Sequence, residues 1–80
     1  MVEVRYFAAI ADAVGKNTES LDLPAGSTIA DLRTTLAATY GSDVDGLVAV
    51  CAFLIGDELT RDPTAMLRDR VDVLPPFAGG

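Results

Sequence analysis

The sequence predicts an α+β domain: a mixed β-sheet with one main helix packed on it and a C-terminal tail projecting from the last strand. Three observations carry this expectation. Segments of period-two alternation recur along the 80 residues, and one segment has the spacing of an amphipathic helix. The last alternating segment then stops at two consecutive prolines, six residues from the end.

Each element follows from its residues. Val2, Val4 and Tyr6 alternate with Glu3, Arg5 and Phe7, as in a strand with one face turned inward. "AAIADAV" allows a short helical turn that Gly15 closes. "TESLDL" alternates again, with Leu21 and Leu23 on one face, and the short connection predicts an antiparallel hairpin. Pro24-Ala25-Gly26 is turn chemistry. Thr28 is a good N-cap, and Asp31 three residues on makes a variant capping box that puts negative charge in the first turn. Ile29, Leu32, Leu36 and Tyr40 then form one apolar stripe, and Gly41 is a natural stop, so a helix is predicted over 28–40. "GSDVDG", with Asp43 and Asp45, reads as a solvated acidic loop. "LVAVCAFLI" reads as a strand buried on both faces. Gly56-Asp57 turns the chain, "ELT" serves as a short edge strand, and "RDPTAML" suits an irregular crossing with a one-turn helix. "RVDVL" is the last strand, which Pro75 ends because it offers no N–H.

A β-β-α-β-β order, in which two hairpins flank one helix and a last strand returns beside the first, is the β-grasp (ubiquitin-like) layout. It places the last strand centrally. The chain then divides into a domain over 1–74 and an extended tail over 75–80. Six extended residues span roughly 20 Å, and Pro75 and Pro76 favour a stiff exit. Gly79 and Gly80 carry no Cβ, so a partner can close around them and reach the Gly80 carboxylate. Such a tail suits insertion into another protein's active site.

Composition excludes several classes. There is no histidine and one cysteine, which rules out His-based catalysis, a Cys/His zinc site and an internal disulfide. No apolar run reaches the roughly 20 residues of a membrane helix, and Glu3 and Arg5 interrupt any signal-peptide core. A cytoplasmic protein is expected. Twelve acids against six bases give a net charge of −6, which phosphate backbones and anionic membranes would repel. Cys51, inside "AVCAF", reads as a buried small hydrophobe rather than a sulfur-bearing thiol. Asp43 and Asp45 lack the remaining ligands of a calcium loop. No metal site is expected.

The stretches "VRYFA", "STIADL", "LIGDELTRD" and above all "VDVLPPFAGG" resemble the ubiquitin-like sulfur-carrier family, over essentially the whole chain. A terminal Gly-Gly marks the family, and the preceding Pro-Pro leans toward its molybdopterin branch. The resemblance implies a sulfur carrier rather than a catalyst. An E1-like adenylyltransferase uses ATP to form an acyl-adenylate on Gly80, and a sulfur donor protein converts it to a thiocarboxylate. The thiocarboxylate then supplies sulfur to cyclic pyranopterin monophosphate inside the large subunit of molybdopterin synthase. Pro75, Pro76, Phe77, Ala78 and Gly79 would occupy that subunit's tunnel, while Phe7, Leu59 and Leu74 match apolar positions that pack against it. No cofactor is expected on this chain itself. Ala11 and Arg68 depart from the family, standing where arginine and glycine are common, so ionic contacts with partners are left open. Two other readings share the tail chemistry: a carrier for thiamine, cysteine or another thio-metabolite, and a ubiquitin-like modifier.

Overall fold

The computed structural model describes residues 1–76. Its elements are β1 (Val2–Tyr6), α1 (Ala8–Val14), β2 (Thr18–Leu21), α2 (Ile29–Tyr40), α3 (Ser42–Val48), β3 (Ala52–Ile55), β4 (Glu58–Thr60) and β5 (Arg70–Leu74). The strands form one mixed sheet in the order β2-β1-β5-β3-β4. The first and last strands pair in parallel at its centre, and every other pairing is antiparallel. This is the β-grasp arrangement, with β5 central and β4 at an edge as expected.

One face of the sheet is apolar and covered. Val4, Val71 and Val73 are fully buried on it, beside Tyr6 and Phe53. Against them α2 sets Ile29, Leu32 and Leu36, all buried, so the stripe read from the sequence is the packing surface. The capping box is formed: the Asp31 N–H donates to Thr28 Oγ1 at 3.3 Å, and the Thr28 N–H donates to Asp31 Oδ2 at 2.9 Å. Such a cap contributes about 1 kcal/mol.

Three expectations are corrected. The acidic segment is no loop: Ser42–Val48 is the helix α3, seven residues long. Asp43 and Asp45 lie in its first turn, where the helix dipole favours negative charge, and Val44 and Val48, one turn apart, bury against the core. Gly41 makes the direct junction possible. At φ 91° its N–H donates to Ala37 O and its carbonyl accepts from the Asp45 N–H, so one residue ends α2 and starts α3. Second, the apolar run is divided. Leu47 and Val48 belong to α3, β3 begins at Ala52, and Ala52 and Leu54 are half-buried on the far side of the sheet. Third, the one-turn helix expected in "RDPTAML" is a turn held by Asp62, whose carboxylate accepts from the N–H and hydroxyl of Thr64. Met66 then bridges to Thr28. The helical turn expected in "AAIADAV" is a full helix, α1, that fills the connection between β1 and β2.

A half-buried polar cluster fastens the sheet's β2 edge to the end of α2. Glu19, its side chain 15% exposed, accepts from the Tyr6 hydroxyl at 2.7 Å and from the Tyr40 hydroxyl at 2.8 and 2.9 Å. The Lys16 ammonium lies 3.6 Å from Glu19 Oε2. Burial opposes the Glu19 charge, but the two hydroxyls and Lys16 outweigh it, so its carboxyl titrates below the ordinary range. Burial and the neighbouring Glu19 push the Tyr6 phenol far above its usual value.

Candidate functional site: the open sheet face and the root of the tail

The face of the sheet away from the helices carries the predicted interface residues. Because Val2, Val4 and Tyr6 point inward, Glu3, Arg5 and Phe7 stand on the open face. The same parity places Asp72 and Leu74 of β5, Ala52 and Leu54 of β3, and Leu59 of β4 there. Tyr6 is in register with Val73, and Ala52 with Leu74. Phe7, Leu74 and Ala52 therefore follow one another across the sheet at the end where the chain leaves β5. Leu59 is 61% exposed and does not adjoin Leu74 directly. It pairs with Leu54, which pairs with Asp72 one step back along β5. Leu54 completes the apolar area and was missed in the sequence. Its alternation with Phe53 and Ile55 was the available signal, hidden by the continuous apolar run.

Charge borders this area. Arg5 pairs in register with Asp72, its Nε 3.8 Å from Asp72 Oδ1, and its guanidinium carbon lies 5.5 Å from the centre of the Phe7 ring. At 3.8 Å the pair is too long for a hydrogen bond, and the buried Asp72 Oδ1 has no hydrogen-bond partner. Arg5 thus holds Phe7 against the face by cation–π contact while neutralising a carboxylate in the middle of the sheet. Arg68 is exposed and lies over the β3–β4 turn, with Nη1 3.5 Å from where a side chain on Gly56 would begin. Ala11 is half-buried on α1 and packs against the core.

The connection after β1 is strained where it meets this face. Ala8 has φ 52°, a left-handed conformation uncommon for a residue with a Cβ. It turns the chain from the end of β1 directly into α1. At the other side of the same end, β5 stops at Leu74, followed by a half-buried Pro75 and an exposed Pro76. Phe77, Ala78, Gly79 and Gly80 lie outside the described residues.

Other chemistry is sparse. Among the described residues no group of three or more acidic, cysteine or histidine side chains is placed to hold a metal ion. Cys51 is buried, and its thiol donates to Leu47 O at 3.2 Å. Burial raises its pKa, with Arg61 opposing, so the nucleophilic thiolate is disfavoured. Among the described residues no helix is long and apolar enough to cross a membrane.

Fold and site together define a protein of the ubiquitin-like β-grasp class whose last core strand leads straight into the C-terminal segment. The chain belongs to the ThiS family, a family of ubiquitin-fold sulfur carriers, which it matches over residues 4–80. Members of this family carry sulfur and leave catalysis to other proteins. The chain is 36% identical to a molybdopterin synthase sulfur carrier subunit of Emericella nidulans, covering 98% of this chain and 96% of the relative. It is 29% identical to the protein of the same name from Chlamydomonas reinhardtii, over 99% and 98% of the two chains. Among solved structures, a putative molybdopterin converting factor subunit 1 from Pyrococcus furiosus superimposes with a TM-score of 0.78 at 22% identity, covering 95% of this chain and 97% of that one. A complex of subunits 1 and 2 of the molybdopterin-converting factor from Helicobacter pylori contains a chain that matches with a TM-score of 0.68 at 27% identity, over 99% and 97% of the two chains.

Proposed function

We propose that this chain is the sulfur carrier of a molybdopterin synthase, with Gly80 as the atom-carrying end. The Gly80 carboxylate attacks the α-phosphate of ATP on an E1-like adenylyltransferase, and pyrophosphate leaves. Sulfide-level sulfur from a donor protein then attacks the acyl carbon and expels AMP, leaving a thiocarboxylate. In the large subunit the thiocarboxylate sulfur attacks cyclic pyranopterin monophosphate, and water then cleaves the acyl–sulfur bond, leaving the sulfur on the pterin and returning Gly80 to a carboxylate. Pro75, Pro76, Phe77, Ala78 and Gly79 line the way in. Phe7, Leu54, Leu59 and Leu74 dock on the large subunit's surface.

The observation that carries this reading is the position of β5. It is the central strand, hydrogen-bonded on both sides, and it ends at Leu74 beside Phe7 on the open face. A tail rooted there starts from a strand held on both sides, next to an apolar area. The names of the relatives support the molybdopterin branch, and the Helicobacter pylori complex supports a second subunit as partner.

The test is incubation with the adenylyltransferase, ATP and a sulfide source. Intact mass should rise by one oxygen-to-sulfur exchange located at Gly80, and deletion of Gly80 should abolish it while leaving the thermal melt unchanged. The charged carrier with a large subunit should then convert the cyclic pyranopterin to its dithiolene form. Sulfur transfer only to a thiamine or cysteine precursor would overturn the molybdopterin assignment, and a ladder of lysine conjugates would overturn the carrier reading.

A further inference from the structure

On the open side of the sheet, the end of β5 is bordered by Phe7 and Leu74. The helix side of the same end is apolar as well. Ala52, the first residue of β3, is in register with Leu74, and the chain reaches Ala52 from the end of α3. The Val50 N–H donates to Leu47 O at 3.3 Å and the Cys51 N–H to Val48 O at 3.0 Å. The helical turn is thus carried through Val50 before the backbone extends into the sheet. Val50 is two residues from Ala52, so its Cα lies within roughly 7 Å of the residue that pairs with the end of β5.

Leu47 and Val50 are three residues apart on this turn and share one side of it. Val44 and Val48 take the other side and are buried in the core. Leu47 and Val50 are left outside, 38% and 52% exposed. Among the described residues the other exposed large apolar side chains are Met1, Leu59 and Met66. A single exposed apolar residue is ordinary. Two on one turn, beside the strand end from which the tail departs, make a surface suited to a partner.

We propose that Leu47 and Val50 form a second apolar contact for the large subunit, on the helix side of the tail root. It lies across the sheet from the contact assigned to Phe7, Leu54, Leu59 and Leu74. This rests on the proposed function. The occupant follows from continuity: Val50 adjoins Ala52, and Ala52 adjoins Leu74. A subunit that seats on the open face and admits Pro75 and Pro76 therefore has Val50 at the edge of its contact. The Helicobacter pylori relative, moreover, is found in complex with its subunit 2. Contacts on both sides of the sheet resist tilting of the domain about the tail root, which a one-sided contact permits.

The experiment titrates the full chain and the double variant Leu47→Gln, Val50→Gln into the large subunit by calorimetry, with circular dichroism reporting the fold. The double variant should bind about tenfold more weakly or worse. Val50→Gln alone, at the more exposed position, should show part of that loss with an unchanged thermal melt. Met66→Gln is the control. Met66 lies three residues before Asp69, whose carbonyl accepts from Glu3 at the opposite end of the sheet, and this variant should bind as wild type does. Equal affinity in wild type and the folded variants would overturn the proposal. A loss confined to charging by the adenylyltransferase would also overturn it, as would wild-type self-association that the substitutions abolish while large-subunit affinity is kept. A wild-type chain that does not bind the large subunit at all would overturn the proposed function and this contact with it, an outcome distinct from wild-type binding that the substitutions leave unchanged.

Discussion

Replacing Tyr6 by phenylalanine removes one oxygen and nothing else from the packed face of the sheet. Tyr6 is 2% exposed, and the variant keeps its ring, so apolar burial is unchanged. What is lost is the 2.7 Å hydrogen bond to the Glu19 carboxylate. Bonds to charged groups contribute about 1.5–3 kcal/mol. Glu19 retains the Tyr40 hydroxyl and Lys16, so no orphaned charge is created, and the lower part of that range applies, about 1.5–2 kcal/mol. For a domain of this length each kcal/mol moves the melting temperature by about 4–8 °C, which gives a drop of roughly 6–16 °C at pH 7. The pH dependence has a definite sign. The folded-state pKa of Glu19 is depressed, so its stabilisation is complete above the ordinary carboxylate pKa and is lost as pH falls through the folded value. Calorimetric melts at neutral and acid pH should therefore show the gap between wild type and Tyr6→Phe narrowing on acidification. A melting temperature within about a degree of wild type at pH 7, or a gap independent of pH, would refute the assignment of Glu19 as the anchor of β2 and α2.

Leu59→Glu should leave the isolated domain folded, because Leu59 is exposed, and should abolish association with a large subunit in calorimetric titration. An unpaired charge buried there costs on the order of 3–5 kcal/mol. Ala8→Gly should stabilise the chain by up to about 1 kcal/mol in urea unfolding, since it relieves a left-handed alanine that costs about 1–2 kcal/mol and adds unfolded-state entropy in return. Ala9→Gly, one position into α1, should destabilise by about 0.5–1 kcal/mol, and the opposite signs together check that Ala8 is the strained residue.

Local signals made most of the fold legible. Thr28 with Asp31 and the stripe from Ile29 to Tyr40 sufficed for α2, because capping and periodicity act within one turn of chain. The alternation in "VEVRY" and "RVDVL" sufficed for the two central strands and for the face on which Phe7 and Leu74 stand. What was lost lay where two signals overlapped. Asp43 and Asp45 read as solvated loop residues although Val44 and Val48 have helical spacing, and the dipole at the start of α3 reconciles the two. The unbroken run from Leu47 to Ile55 hid both the end of that helix and the outward face of Leu54. The Glu19 cluster was illegible for a different reason: its tyrosines lie 13 and 21 residues away, and only the tertiary fold brings them together. The expectations for Phe77 to Gly80 rest on sequence and family alone.

The parallel pairing of β1 with β5 has a consequence for synthesis on the ribosome. The middle strand of the sheet is the last to be made, because β5 is inserted between β1 and β3. A nascent chain that has emerged only as far as residue 69 carries two separate hairpins, β2-β1 and β3-β4, whose inner edges have no strand to join them. Closure of the sheet awaits residues 70–74, which pair with β1 on one side and β3 on the other. A chain cut short before residue 70 thus lacks not an edge of its sheet but the strand that joins the two halves.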